Sequence, residues 1–290
     1  MRRVRRIYQA NSQHWVGDGF LVQPLFSHMG EDKQTDPFLM LDYAAPKTFA
    51  PNSGRPHGVG QHPHKGFETV TIAYHGEVAH RDSSGAEGVI YAGDVQWMTA
   101  GSGVIHEEFH SENFSRQGGL FEMVQLWVNL PAKDKNTTPR YQHLTKNAIP
   151  VVNLSNEAGY IRVIAGQYQD VQGAAQTFTE MNVWDMVLNA NSSLQLNIPA
   201  NHQLSMVILR GQVRFNGSEQ ANAGELVSFE NEAGQIAINS GSEEVKILLL
   251  SGVPINEPVV GYGPFVMNTE NEIRQAIHDF NQGRFGSIAN

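Results

Sequence analysis

Residues 58–110, GVGQHPHKGFETVTIAYHGEVAHRDSSGAEGVIYAGDVQWMTAGSGVIHEEFH, carry half of the protein's 12 histidines, and their reading decides how the rest of the chain is read. Two pairs matter: His62 and His64, separated by Pro63, and His106 and Glu108, separated by Glu107. Residues two apart on an extended strand point to the same face. Pro63 favours that conformation for the first pair, because proline disfavours the helical region for the residue before it. Three imidazoles and one carboxylate converging from two strands form a nitrogen and oxygen donor set without thiolate. Such a set suits a first-row transition metal, with iron, manganese, nickel or copper fitting at least as well as zinc.

Around the pairs run short apolar segments, FETVTIAY, EVAH, GVIY and DVQWMTA, broken by His75-Gly76, SSGAEG and Ala92-Gly93-Asp94. Short strands with glycine turns predict an antiparallel barrel or sandwich. Upstream, IYQA, GFLVQPLFS and DPFLMLDYA read as strands, and residues 45–60, dense in Pro and Gly, as a long loop. Downstream, LFEMVQLWVNLP ends at Pro131, and the polar AKDKNTTPRYQ reads as a linker. YIRVIAG, WDMVLNA, LQLNIP, LSMVILRG, QVRFNG, ELVSFE, QIAINS and EVKILLLSG then repeat the short-strand pattern. The expected division is residues 1–135, holding the metal site, and residues 136–290. A helix is expected only near 270–282. Thr269 can cap it, Glu272 completes a capping box, and Ile273, Ala276, Ile277 and Phe280 share one face before Gly283.

The two halves look alike. Gly76 and Gly93 end successive strands in the first, and Gly211 and Gly224 do so in the second, which implies an internal duplication. The steps from Gly76 back to His62 and His64, applied to Gly211, reach Asn197 and Pro199. The step from Gly93 forward to His106, applied to Gly224, reaches Ala237. No His-x-His pair occurs in that half, so the second copy is expected to keep the fold without the metal.

Composition sets outer bounds. The chain has 290 residues, no cysteine and a formal net charge of −9. That excludes disulfides, thiolate chemistry and a broad basic face for direct nucleic-acid binding. The cluster Arg2, Arg3, Arg5 and Arg6 alternates with Val4 and Ile7 and reads as a charged edge strand. No run of signal-peptide or membrane-span length follows it, so a cytoplasmic location is the default expectation. Isolated histidines are assigned elsewhere than the site: His57, His110, His75 at a turn, and His80, for which a hydrogen bond to Asp82 on the same strand face suffices. Phe67, Trp97 and Met98 are assigned to the core.

HPHKGFETV, GDVQWMTAGSGVIHEE, QLWVNLP and EPVVGYGPFVMNTENEI resemble, in order and over nearly the whole chain, the signatures of the pirin family, a branch of the cupins. The resemblance implies an all-β fold of two tandem cupin barrels (double-stranded β-helix, or jelly roll) with a short C-terminal helix. It also implies one divalent transition metal, Fe(II) first and Mn, Ni, Cu or Zn compatible, held by His62, His64, His106 and Glu108. Lys65 stands where arginine is common in the family, and Glu107 makes the last pair HEE. The general cupin pattern would use Glu68 as a ligand, whereas the pirin pattern places that role on Glu108. Family members implied as relatives include quercetin 2,3-dioxygenases, which open a flavonol ring with O2 and release carbon monoxide. In that reading Glu108 also takes the proton of the substrate's 3-hydroxyl. The alternative is a non-enzymatic, redox-sensitive iron-binding regulator acting through a protein partner. A purely structural metal fits less well, since structural sites are usually closed, tetrahedral and cysteine-rich.

Overall fold

Four glycines mark the turns of a repeated plan: Gly76 (φ 84°), Gly93 (φ 95°), Gly211 (φ 77°) and Gly224 (φ 86°). All lie in the left-handed region, which a residue without Cβ enters at little cost. The computed structural model describes residues 1–10, 12–30 and 34–288. It divides into two units. One comprises Ser12–Asp32, Phe38–Lys146 and Asn256–Asn290, and the other Met1–Asn11, Lys33–Pro37 and Asn147–Ile255.

In the unit holding the histidine pairs, a seven-stranded sheet runs in the order Arg140–Leu144, Val95–Thr99, Phe67–His75, Gly119–Asn129, Phe38–Phe49, Phe20–Ser27, His14–Val16. A four-stranded sheet runs Gly58–His64, Val104–His110, Val78–Asp82, Glu87–Ile90. The other unit repeats the order strand for strand. Its seven-stranded sheet runs Val4–Gln9, Glu225–Phe229, Gln203–Arg210, Val245–Gly252, Met181–Leu188, Gly159–Ala165, Val151–Asn153, and its four-stranded sheet runs Ser193–Asn197, Gln235–Ser240, Gln212–Phe215, Glu219–Asn222. The duplication is therefore a property of the topology. No helix among the described residues is long and apolar enough to cross a membrane.

The units are not the contiguous halves 1–135 and 136–290. The arginine-rich strand Val4–Gln9 does lie at a sheet edge, but it pairs with Glu225–Phe229. The expected linker runs into strand Arg140–Leu144, which pairs with Val95–Thr99. The C-terminal segment, with its helix, belongs with the histidine-bearing barrel. A strand takes whichever open edge it completes, and that choice is not written in local sequence. The expected loop over 45–60 is shorter as well. Strand Phe38–Phe49 continues through Pro46, with Thr48 and Phe49 paired to Leu120 and Gly119. A further helix, Glu112–Gln117, was not expected from the sequence. Ser111 caps it by accepting from the Phe114 N–H at 2.9 Å.

The C-terminal helix, Glu270–Asn281, forms as the sequence predicts. Thr269 accepts from the Glu272 N–H at 3.2 Å, and the Glu272 carboxylate reaches back to the Asn268 N–H at 3.1 Å. Ile273 and Ala276 are buried against Phe265, Met267 and Phe285, with Ile277 and Phe280 packed beside them.

Candidate metal centre

Strands Gly58–His64 and Val104–His110 are antiparallel neighbours, with His62 directly opposite His106 and a bulge before Glu108. The ring centroids of His62, His64 and His106 lie 4.3 to 4.9 Å apart. One nitrogen from each lies within 4.8 Å of the others. Two of these rings offer a buried nitrogen without a hydrogen-bond partner among the described residues, His64 Nδ1 and His106 Nε2. On the third, His62 Nδ1 lies 2.8 Å from the Gly60 carbonyl. A carbonyl only accepts, so Nδ1 carries the proton and Nε2 keeps its lone pair. Orphaned buried nitrogens are costly unless something is bound to them, and three lone pairs in one place fit a metal ion. Burial, and then the neighbouring imidazoles, pulls His106 and His64 well below the usual histidine range, with the Pro264 carbonyl acting the other way on His64. Both rings are thus kept neutral, the form that ligates.

Glu108 enters from the same strand as His106. Its Oε1 accepts from Gln96 Nε2 at 2.9 Å and lies 3.2 Å from the Thr71 hydroxyl. With His80 and His106 it forms a second cluster in which the donor atoms again lie within 4.8 Å. His80 therefore touches the site, contrary to its sequence assignment. It pairs across the sheet with Glu108, and its Nδ1 lies 3.5 Å from His106 Nδ1. The expected bond to Asp82 exists too, at 2.9 Å. Burial pushes the Asp82 carboxyl up, but bonds from His80 and Ser84 outweigh it and leave the group below its ordinary range. The two-residue spacing His80-x-Asp82 was the available signal, and the local bond and the site contact coexist. His57, His75 and His110 are in neither cluster. His110 is buried among Phe20, Phe49, Phe114 and Phe121. Phe67, Trp97 and Met98 are buried, with Phe67 edge-on to His64 at 5.2 Å.

Glu68 lies elsewhere. It neighbours Phe67 on the strand and so faces away from Phe67, Thr69 and Thr71. It is fully buried there, accepting from the Thr99 hydroxyl at 2.7 Å. Burial pushes its carboxyl up to about 7, against the hydrogen bond from Thr99, the nearby Trp97 indole and the charge of Arg140.

A cavity of about 420 Å³ opens onto His62, His64 and Glu108, walled chiefly by Phe20, Val22, Met40, Val59, Met123 and Trp127, with Asp42 and Gln125 as its other polar groups. Gln96, Thr71, Gln125 and Asp42 are cross-strand neighbours on four adjacent strands and form one polar rung. The second barrel supplies the contrast. Phe215 stands at the same remove from Gly211 as His80 from Gly76, and its partner Ile238 answers to Glu108. Ile236 then answers to His106, Leu196 to His62, and Ile198 to His64. The polar rung becomes Val227, Met206, Leu249 and Trp184. All of these residues belong to one apolar core. The positions reached by counting, Asn197, Pro199 and Ala237, are each one residue past the inward-facing ones, because the connections flanking those strands differ in length by a single residue. With a side-chain period of two, that slip exchanges the faces.

Two double-sheet barrels of one plan, one enclosing a His/Glu cluster and the other packed with aliphatic side chains, define a bicupin. The chain belongs to the pirin family: residues 19–128 match Pirin, and residues 183–286 match the Pirin C-terminal cupin domain. A crystal structure of quercetin 2,3-dioxygenase from Acinetobacter baumannii is 51% identical, with a TM-score of 0.95 over 100% of both chains. A Pseudomonas aeruginosa protein, named as a candidate quercetin 2,3-dioxygenase, is 50% identical over 285 residues, 98% of this chain and 99% of its own. Pirin-like protein 2 of Arabidopsis thaliana is 38% identical over 93% of this chain and 81% of its own.

Proposed function

We propose that the chain is a metal-dependent dioxygenase acting on a flavonol-like aromatic substrate, with one divalent ion held by His62, His64, His106 and Glu108. The observation that supports this most is the cavity. Its apolar walls and its volume suit a flat small molecule, a class of ligand whose sites span roughly 300–1,000 Å³, and its polar end is the ligand cluster. Three imidazoles and a carboxylate are donors for Fe(II), our first choice, and equally admit Mn, Ni or Cu. When bound, the metal would supply the Lewis acidity that makes a hydroxyl easier to ionise and the redox chemistry that dioxygen needs. In this reading Glu108 takes the 3-hydroxyl proton. Its Oε1 is engaged by Gln96, with Thr71 beside it, which orients the carboxylate, while Oε2 accepts no bond from the described residues. Phe20, Val22 and Trp127 exclude water beside it. The 51% identity to a protein described as quercetin 2,3-dioxygenase supports the same reading. A cytoplasmic location accompanies it.

The test is oxygen uptake and carbon monoxide release by the iron-loaded protein with quercetin, with a 3-O-methylated flavonol as control. Turnover of quercetin alone is expected. His62→Ala should abolish turnover together with the bound metal. Neither oxygen uptake nor carbon monoxide from metal-replete protein would overturn the dioxygenase reading and favour the redox-sensitive regulator, whose partner affinity would follow the oxidation state of the iron.

A further inference from the structure

Two hydrogen-bond chains approach the ligand cluster from outside the cavity, and they meet at one residue. The first begins at Asp82. Its Oδ1 accepts from the Ser84 N–H at 2.8 Å, the Ser84 hydroxyl at 2.6 Å and the Ala86 N–H at 3.3 Å, and its Oδ2 faces His80 Nε2 at 2.9 Å. A carboxylate surrounded by donors only accepts, so the proton of His80 sits on Nε2 and the lone pair on Nδ1. That lone pair faces His106 Nδ1 at 3.5 Å. His106 satisfies it by carrying its own proton on Nδ1, which leaves a lone pair on Nε2, the buried nitrogen that has no partner among the described residues. The tautomer of a ligating histidine is set by what its other nitrogen bonds. Here that setting runs from Asp82 through His80 to His106.

The second chain ends on the carboxylate. The Tyr141 hydroxyl donates to Gln96 Oε1 at 3.3 Å, so the amide turns its NH2 to Glu108 Oε1 at 2.9 Å. The ring of the same tyrosine lies flat on His80, with centroids 4.9 Å apart and planes 19° from parallel. Tyr141 reaches this place because Arg140–Leu144 is a strand at the open edge of Val95–Thr99, with Tyr141 opposite Met98. In the other barrel the residues answering to His80, His106, Gln96 and Glu108 are Phe215, Ile236, Val227 and Ile238. Both chains are therefore gone where the ligand cluster is gone.

We propose that Tyr141 is a positioning residue for the metal centre: its ring holds His80, and through it His106, while its hydroxyl orients Gln96, and through it Glu108. The proposal rests on metal binding by the cluster and not on any substrate. Outer partners of metal ligands are typically worth about 10- to 100-fold in affinity.

The experiment loads full-length apo-protein with Co(II), whose visible spectrum reports ligand geometry, and measures affinity by competition with a chelator. Tyr141→Phe keeps the ring and loses the hydroxyl, and is expected to weaken Co(II) binding about tenfold. Tyr141→Leu loses both contacts and should approach a hundredfold, with a shifted spectrum. On a Gln96→Leu background, Tyr141→Phe should add almost nothing, since both changes break one chain; on an Asp82→Asn background it should add in full. Thermal melting separates a merely structural role, which would lower Tm and leave the spectrum of the folded fraction unchanged. Both Tyr141 variants keeping wild-type affinity and spectrum, while His106→Ala loses the metal, would overturn the proposal and leave metal binding intact. Wild-type protein that binds no Co(II) would overturn both.

Discussion

Glu68 and Glu108 stand on different sides of the metal barrel's wall: Glu108 shares a cavity with His62 and His64, and Glu68 accepts from Thr99 on the outward face of its sheet. The parity of strand Phe67–His75 makes this arrangement rigid, since Thr71, on the opposite face from Glu68, is the residue beside Glu108. Glu108→Gln should therefore weaken metal binding by an order of magnitude or more, as a neutral amide replaces an anionic donor. Glu68→Gln should leave the metal content unchanged. Elemental analysis of the two dialysed variants decides, and the reverse pattern would remove Glu108 from the ligand set.

Glu68 also makes a prediction about pH. Its folded-state carboxyl titrates near 7, above the ordinary 4.5, because burial disfavours the charge. Between those values the folded chain holds a proton that the unfolded chain has released, so this group's contribution to stability declines as pH rises from about 4.5 to about 7 and is flat above. At about 1.4 kcal/mol per pH unit the full loss is on the order of 3 kcal/mol. Glu68→Gln, whose carbonyl can still accept from Thr99, should gain stability over wild type progressively across that window. Urea denaturation of both proteins at pH 5 and pH 8 measures it; an equal gap at the two values would refute the assignment.

Asp42 is the second carboxyl of the cavity, and burial raises it above its usual range, with His14 acting the other way. Its counterpart in the other barrel is Trp184, which fills the space instead. Asp42→Asn is expected to raise KM for hydroxylated flavonols several-fold while metal content stays at the wild-type level. Loss of metal in that variant would show that Asp42 acts on the cluster and not on the ligand in the cavity.

The cap of the last helix is a simpler case. Thr269→Ala removes the acceptor for the Glu272 N–H and should cost about 1 kcal/mol. Thr269→Ser should recover most of it. Thermal unfolding of the pair checks this, and equal Tm values for Ala and Ser would mean that the cap contributes nothing.

Much of this molecule is legible in its sequence wherever the deciding physics is local. His62-x-His64 and His106-x-Glu108 obey strand periodicity, and Thr269 with Glu272 obeys helix capping, so each can be read within a few residues. Tyr141 cannot be read that way. It sits in a polar segment resembling a linker, and its meaning depends on the edge at Val95–Thr99 to which it pairs. The same holds for the arginine-rich strand Val4–Gln9, paired with Glu225–Phe229. His80 illustrates a different failure. Its bond to Asp82 was foreseeable and real, but only the cross-strand register with Glu108 shows that the ring's other nitrogen faces His106.

Pro264 lines the cavity, and the Val266 N–H bonds the Lys65 carbonyl at 3.0 Å beside His64. The ribosome makes His62, His64 and His106 long before it makes those two residues. A nascent chain thus carries the three imidazoles while one wall of their pocket does not yet exist. A metal held by the unfinished chain is therefore expected to be held less tightly than by the complete one. Ribosome-bound chains stalled before residue 260 should give up metal to a mild chelator that the released protein resists.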